Sequence, residues 1–433
     1  MNNPFQHRIG LLFVHWLSYS VFGYNEIGAF LPQLGFLIII FFLVGQYCNN
    51  LFEWLIAGLI LLLLIPQSIN VFPDLGASAL MLASILLLDR RTDWRFGVAF
   101  SIVGFVAFLI KETAYFLAAP YFIILVVDLL KRNSGCSFSS IKFFASSAIT
   151  GIFLIATYFI FYGYFFENPL SRFTTIRNYG TRHLWLVKSN IQLLHRLFIA
   201  PIYTFQVYFG VSFLMACLAS IILVKKRSSH QVVSIYFISG LLLFIFGTTS
   251  FTSYQPLPMM SRMFSFLVPV TAILCARSIS FILRYSGVKK RNSVVIVLFL
   301  SLFITYNTVS TISRSFYSAS QSDLHNVRIM AVEYLIRNKT ARLIVAEPRT
   351  AEMINIYNGF DASINAQILA CSDLTTISKF TKLVFFVDHN KAKFLTSAYG
   401  TETCTKEVQK LAKQVGAIQQ INNRKIFLAF KRD

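Results

Sequence analysis

Asp74 and the adjacent pair Lys111 and Glu112 stand between long apolar runs, and this placement constrains the chain more than any other feature of it. A charge exposed to lipid costs roughly 2.5 to 3.5 kcal/mol on insertion scales, so charges kept between such runs face protein or water and are candidates for function. The runs themselves call for a membrane. Of 433 residues, 56% are hydrophobic, 45 are Phe and only 13% are charged, which is far from the balance of a soluble domain. The net charge of +21 fits basic cytoplasmic loops and anionic lipid better than nucleic acid, because no basic face with interleaved aromatics occurs outside the loops.

Ten spans are expected, at 29–48, 51–66, 72–88, 96–110, 114–130, 142–166, 208–224, 232–250, 260–282 and 293–308. Several fall short of the ~20 residues a bilayer asks for, which tilt or local thinning accommodates. Ile9 to Tyr24 is apolar but short and carries His15, Ser18 and Tyr19, so it reads as a helix lying in the interface. No basic n-region with a cleavage site precedes it, so no cleavable signal peptide is expected.

Lys and Arg collect in alternate loops, at Arg90, Arg91 and Arg95, at Lys131 and Arg132, at Lys225 to Arg227, and at Arg284 to Arg291. These loops are expected on the cytoplasmic side. Asp74, Lys111, Glu112 and Arg262 then meet at the opposite face. Ten spans with an outside C-terminus require an outside N-terminus too, so the chain reads as if it began partway through a protein, after a first transmembrane segment. Residues 1–28 are thus expected to be the end of an outer loop plus the interfacial helix, and residues 29–308 the membrane domain.

The outer loop 167–207 carries Arg172, Arg177, Arg182, His183, Lys188, His195 and Arg196 among aromatics. Two readings of it stay open: an amphipathic surface helix touching headgroups, or a cationic mouth for a lipid substrate bearing a phosphate, which guanidinium groups match bidentately. Residues 309–433 change to mixed polar composition and read as a small α/β domain outside the membrane. Its expected strands are Ala341–Ala346, Lys382–Asp388 and Lys425–Phe430, and its expected helices lie near Val327–Asn338, Arg349–Tyr357, Asn390–Tyr399 and Lys406–Val415. The fold class is therefore an all-α polytopic membrane protein with a C-terminal α/β extracytoplasmic domain. Cys48, Cys136, Cys217 and Cys275 read as packing residues, a Cys371–Cys404 disulfide stays open, and no Cys or His spacing suggests a metal site. No cofactor is expected.

Three stretches resemble one family: Pro4 to Gly23, Phe72-Pro73-Asp74 with the helix that follows to Asp89-Arg90-Arg91, and Gly104 to Pro120 with Lys111-Glu112. Ser261-Arg262-Met263 followed by Pro269 adds a fourth. Together they are similar to the GT-C superfamily of lipid-dependent glycosyltransferases, nearest its protein O-mannosyltransferase and aminoarabinose-transferase branch, over roughly the first 280 residues. The resemblance implies an inverting transferase in the cell inner membrane that moves a sugar from a polyprenyl-phosphate carrier to a lipid, glycan or protein acceptor on the outer face. It also implies cationic contacts to the leaving phosphate, and the candidate substrate-binding residues are Asp74, Lys111, Glu112, Arg262 and Arg182.

The family's first helix and the acidic motif behind it have no counterpart in this sequence. The catalytic base is therefore unnamed, with Asp74 the candidate and Glu112 the other residue that could take over the role, and the chain as written is expected to lack transferase activity by itself. The rival classes are a lipid or small-molecule transporter or flippase, and a noncatalytic membrane scaffold.

Overall fold

A computed structural model describes residues 8–23, 26–65, 73–130, 138–174, 194–225, 230–247, 261–285, 302–306 and 308–310, and then 342–345, 383–388, 405–414, 416, 418–422 and 426–431. The chain divides into two units, Met1–Gly180 with Trp185–Ser315, and Thr181–Leu184 with Phe316–Asp433. The described part of the first is helical throughout: α1 (Ile9–Phe22), α2 (Glu26–Gly45), α3 (Leu51–Leu61), α4 (Pro73–Asp89), α5 (Trp94–Ile110), α6 (Ala118–Leu130), α7 (Phe138–Phe166), α8 (Ala200–Phe209), α9 (Val211–Lys225), α10 (Gln231–Phe246) and α11 (Val268–Tyr285). Among the described residues, Ile27–Gly45, Glu112–Leu130 and Ser139–Phe166 are long and apolar enough to cross a membrane. Shorter apolar helices such as Trp94–Ile110, Gln231–Phe246 and Val268–Phe281 accompany them.

Local chemistry sets the helix limits. Helix α3 begins after Asn50, whose side chain accepts from the Glu53 backbone N–H at 2.9 Å, while the Glu53 carboxylate accepts from the Asn49 N–H at 2.8 Å. This reciprocal arrangement satisfies amides that a helix start leaves free. Asp93 caps α5 in the same way, accepting from the Arg95 N–H at 3.1 Å. Helix α5 ends where Lys111 turns extended (φ −150°, ψ 138°), and a 3-10 segment, Glu112–Leu117, leads into α6. That segment takes in residues 112 and 113, between the expected spans 96–110 and 114–130, and the first residues of the second span.

Helix α1 shows two faces, with Leu11, His15 and Ser18 buried and Leu12, Phe13, Trp16 and Leu17 exposed. Its start lies so close to the end of α5 that a Cβ at Gly10 would stand 3.0 Å from the Ile110 backbone nitrogen. Helices α5 and α7 are likewise in backbone contact, since a Cβ at Gly97 would fall 2.2 Å from the Phe143 carbonyl. The core runs through Ile40, Ile60, Leu64, Leu75, Ile85, Phe116 and Leu274, all 0% exposed or nearly so. Each such side chain contributes on the order of 1.5–3 kcal/mol against exposure to water, although in lipid the gain comes from packing instead. Cys48, Cys217 and Cys275 are free thiols among this packing.

The outer loop expected at 167–207 is not all loop. A π-helical turn, His195–Ile199, runs into α8, and residues 171–174 are also helical. The cause is tertiary: Phe205 and Phe209 sit in an aromatic nest with Phe264 and Phe213, and the Tyr208 hydroxyl donates to the Leu63 carbonyl at 3.2 Å.

In the second unit, β1 (Arg342–Val345), β2 (Leu383–Asp388), β3 (Ile418–Asn422) and β4 (Ile426–Lys431) form one sheet in the order β1-β2-β4-β3. The β1–β2 pair is parallel and the other two pairs are antiparallel, with a register shift between Gln419 and Ile421. Helix α12 (Thr405–Gln414) lies against β2. Strand β3 carries the polar run Gln419-Gln420, which gave no strand signal in the sequence. Helices expected at 327–338, 349–357 and 390–399, residues Cys136, Cys371 and Cys404, and most of the span 293–308 lie outside the described residues.

Candidate functional site

Three elements bring the site together. Helix α4 opens with Pro73, whose fixed φ suits the first helical position, and Asp74 follows in the first turn, where the helix's partial positive charge favours a carboxylate. The hairpin of α4 and α5 returns the end of α5 to the start of α4. Lys111, 37 residues from Asp74, thus leaves α5 beside it, and its ammonium donates to Asp74 Oδ1. The two side chains are 6% and 3% exposed. The same ammonium lies 3.2 Å from the sulfur of Met263, on the 3-10 turn Ser261–Phe264 that precedes α11.

Glu112 points to a different pair of partners. Its Oε1 accepts from Arg8 Nε at 3.2 Å and from Arg172 at 3.0 and 3.2 Å, while Oε2 accepts from Arg8 Nη2 at 3.2 Å. Arg172 is 0% exposed, donates to the Phe108 carbonyl at 2.7 Å and stacks 4.8 Å above the Phe108 ring. Tyr158 and Tyr162 pack behind it, with their ring centroids 4.4 Å apart and the Phe108 ring 5.5 Å from Tyr158. Arg172 Nη1 and the Tyr158 hydroxyl are buried without a hydrogen-bond partner among the described residues.

Among the described residues, these charged groups form two neighbouring clusters, Lys111 with Asp74 and Arg8 and Arg172 with Glu112. Buried this deeply, each charge depends on its partner. Removing one side of such a pair typically costs 3–5 kcal/mol, because the survivor is left uncompensated.

Of the residues expected in the site, Asp74 and Lys111 are in contact, and Glu112 is next to them but faces away to Arg8 and Arg172. Arg262 lies on the turn that brings Met263 to Lys111, and its side chain is outside the described residues, as is Arg182 altogether. Sequence reasoning missed Arg8 and Met263 and read Arg172 only as one loop cation among seven. Arg8 had a usable signal, since it is the one Arg ahead of the interfacial helix. Among the described residues, no group of three His, Cys, Asp or Glu side chains could hold a metal.

No protein-family model and no curated protein matches this sequence. Among solved structures, the chain is similar to ArnT from Cupriavidus metallidurans in the apo state, with a TM-score of 0.54 at 10% identity, over 97% of this chain and 87% of that one. ArnT bound to undecaprenyl phosphate aligns at a TM-score of 0.49 and 12% identity, with the same 97% and 87% covered. The Archaeoglobus fulgidus oligosaccharyltransferase in complex with Zn and sulfate aligns at 0.48 and 13%, over 97% of this chain and 64% of that one. The chain therefore shares its fold with ArnT.

Proposed function

We propose that the chain is a membrane glycosyltransferase that moves a sugar, with inversion, from a polyprenyl-phosphate carrier to a lipid, glycan or protein acceptor at the outer face of the cytoplasmic membrane. The reading includes ten spans and an outer α/β domain over 309–433. The observation that carries it is the buried Lys111–Asp74 pair at the head of α4, in a chain with the fold of ArnT.

Departure of a lipid phosphate builds negative charge, and a preplaced ammonium stabilises it without reorganising. Lys suits this task better than a saturated Arg fork would, because an ammonium has three donors and Asp74 engages one of them. In this reading Asp74 orients Lys111 through their ion pair. Arg262 is read as a further cationic contact to the same phosphate. Glu112, with both oxygens taken by guanidinium groups, anchors the turn that carries Lys111.

The test must respect the burial of the pair. Lys111→Ala alone would strand the Asp74 carboxylate, whereas replacing both partners with neutral groups of similar shape is close to neutral for stability. In a full-length version of the protein, Asp74→Asn with Lys111→Met is therefore expected to insert and fold like its parent, yet to lose about ten- to a hundredfold in transfer from a polyprenyl-phosphate sugar, the worth of one charge-assisted phosphate contact. Full transfer by a well-folded double variant would remove the pair from the chemistry. It would favour instead the noncatalytic scaffold, which the mutual satisfaction of these charges also fits. For orientation, a reporter fused after Lys226 should be cytoplasmic and one after Asp433 external, and finding both on one side would overturn the topology.

A further inference from the structure

Lys111 has a second acceptor besides Asp74, and it is an unusual one. The Met263 sulfur stands 3.2 Å from the ammonium, and Lys111 as a whole is only 5% exposed. A thioether is a neutral, weak acceptor. It aims a donor while leaving the charge in place, whereas a second carboxylate at that position would cancel it.

The sulfur's position is set from outside the site. Phe264, the next residue, is 0% exposed, with its ring centroid 4.7 Å from Phe205 and 4.6 Å from Phe244. A ring buried between α8 and α10 thus holds the turn Ser261–Phe264, and the turn delivers Met263 to the end of α5.

We propose that Met263 is a positioning residue for Lys111: its sulfur takes one ammonium N–H, Asp74 takes another, and the third is left for a phosphate oxygen of the donor. The assignment rests on the glycosyltransferase reading above. It makes affinity for the donor depend on an acceptor atom at position 263, and not merely on apolar volume there.

Binding of undecaprenyl phosphate to the full chain in detergent, followed alongside thermal unfolding, separates the possibilities. Met263→Leu, close in volume but without an acceptor, should weaken binding about fivefold, as expected for one neutral hydrogen bond, with an unchanged unfolding temperature. Met263→Gln, which restores an acceptor, should return to within about twofold of the parent. Equal binding by the parent and the Leu variant, or equal loss in Leu and Gln, would overturn the positioning role while leaving the reading of function intact. If the parent itself failed to bind undecaprenyl phosphate, the reading and the assignment that rests on it would both fall.

Discussion

Helices α4, α5 and α6 carry a buried ion pair at each end of the same antiparallel run, and the two pairs are built differently. At the turn between α4 and α5, Arg91 meets Asp128 of α6 with two parallel bonds, Nε to Oδ2 at 2.7 Å and Nη2 to Oδ1 at 3.3 Å, and adds a contact to the Leu88 carbonyl. The fork takes both oxygens of Asp128, and both side chains keep some exposure, 20% and 12%. At the other end, Lys111 and Asp74 are more deeply buried, at 6% and 3%, and the cation is a point charge with one donor unengaged among the described residues.

The difference teaches what each end is for. A bidentate Arg–carboxylate fork fixes geometry and commits both carboxylate oxygens. The Glu53–Arg277 pair, with Oε1 of Glu53 3.2 Å from Arg277 Nη1 and Oε2 held by the Asn49 N–H, belongs to the same fastening end. The Lys111 end is fastened indirectly, through Glu112, Arg8 and Arg172, so that the ammonium itself need not be.

If this contrast is right, the largest effect should come from Lys111→Ala. It leaves the Asp74 carboxylate buried and unpaired and should cost about 3–5 kcal/mol, read as a drop in unfolding temperature in detergent that the double neutral variant Asp74→Asn, Lys111→Met largely reverses. A loss under 1 kcal/mol would mean that water reaches this end. Next, Glu112→Gln keeps one acceptor for two guanidinium groups and should cost about 2 kcal/mol. Glu112→Gln with Arg8→Gln should cost less than the sum of the two single changes, and simple additivity would break the link drawn between α1 and the site.

Arg91→Lys tests the fastening end. It keeps the charge and gives up the fork, for about 1 kcal/mol; no change would show that the fork geometry is idle.

The smallest effect is one of pH. His230 stands at the residue before α10 at the fastening end, 5.9 Å from the Tyr47 ring. Burial, reinforced by the charge of Arg277, pushes it down from 6.5 to about 4. Its folded form thus binds a proton less readily than its unfolded form, so this contribution to stability is complete above pH ~6.5 and is lost as pH falls toward 4. Between pH 7.5 and 6 the loss should stay under about 1 kcal/mol. It should vanish in a His230→Gln variant, and an identical acid slope in that variant would exclude His230 as its source.

Much of the fold is legible in the sequence because membrane helices announce themselves by hydropathy alone. The expected span at 72–88 is α4 at Pro73–Asp89, and that at 96–110 is α5 at Trp94–Ile110. What hydropathy misses is helix held by long-range packing, as in α8, where Phe205 and Tyr208 are ordered by Phe264 and Leu63. The site was half legible. Asp74, Lys111 and Glu112 stood out because charge between apolar runs is costly, and that cost is local to the sequence.

The sequence by itself therefore determined that this is a helical membrane chain, and which carboxylates and ammonium had to find partners. Only the tertiary structure decided the pairing: Lys111 takes Asp74, 37 residues away, and Glu112, its immediate neighbour, takes Arg172 and Arg8, 60 and 104 residues away. The extended backbone at Lys111 turns the two side chains to different partners, and Met263 arrives from 152 residues downstream. Desolvation makes pairing compulsory, but which cation meets which anion depends on where helix packing places their ends, and no local pattern of residues encodes that.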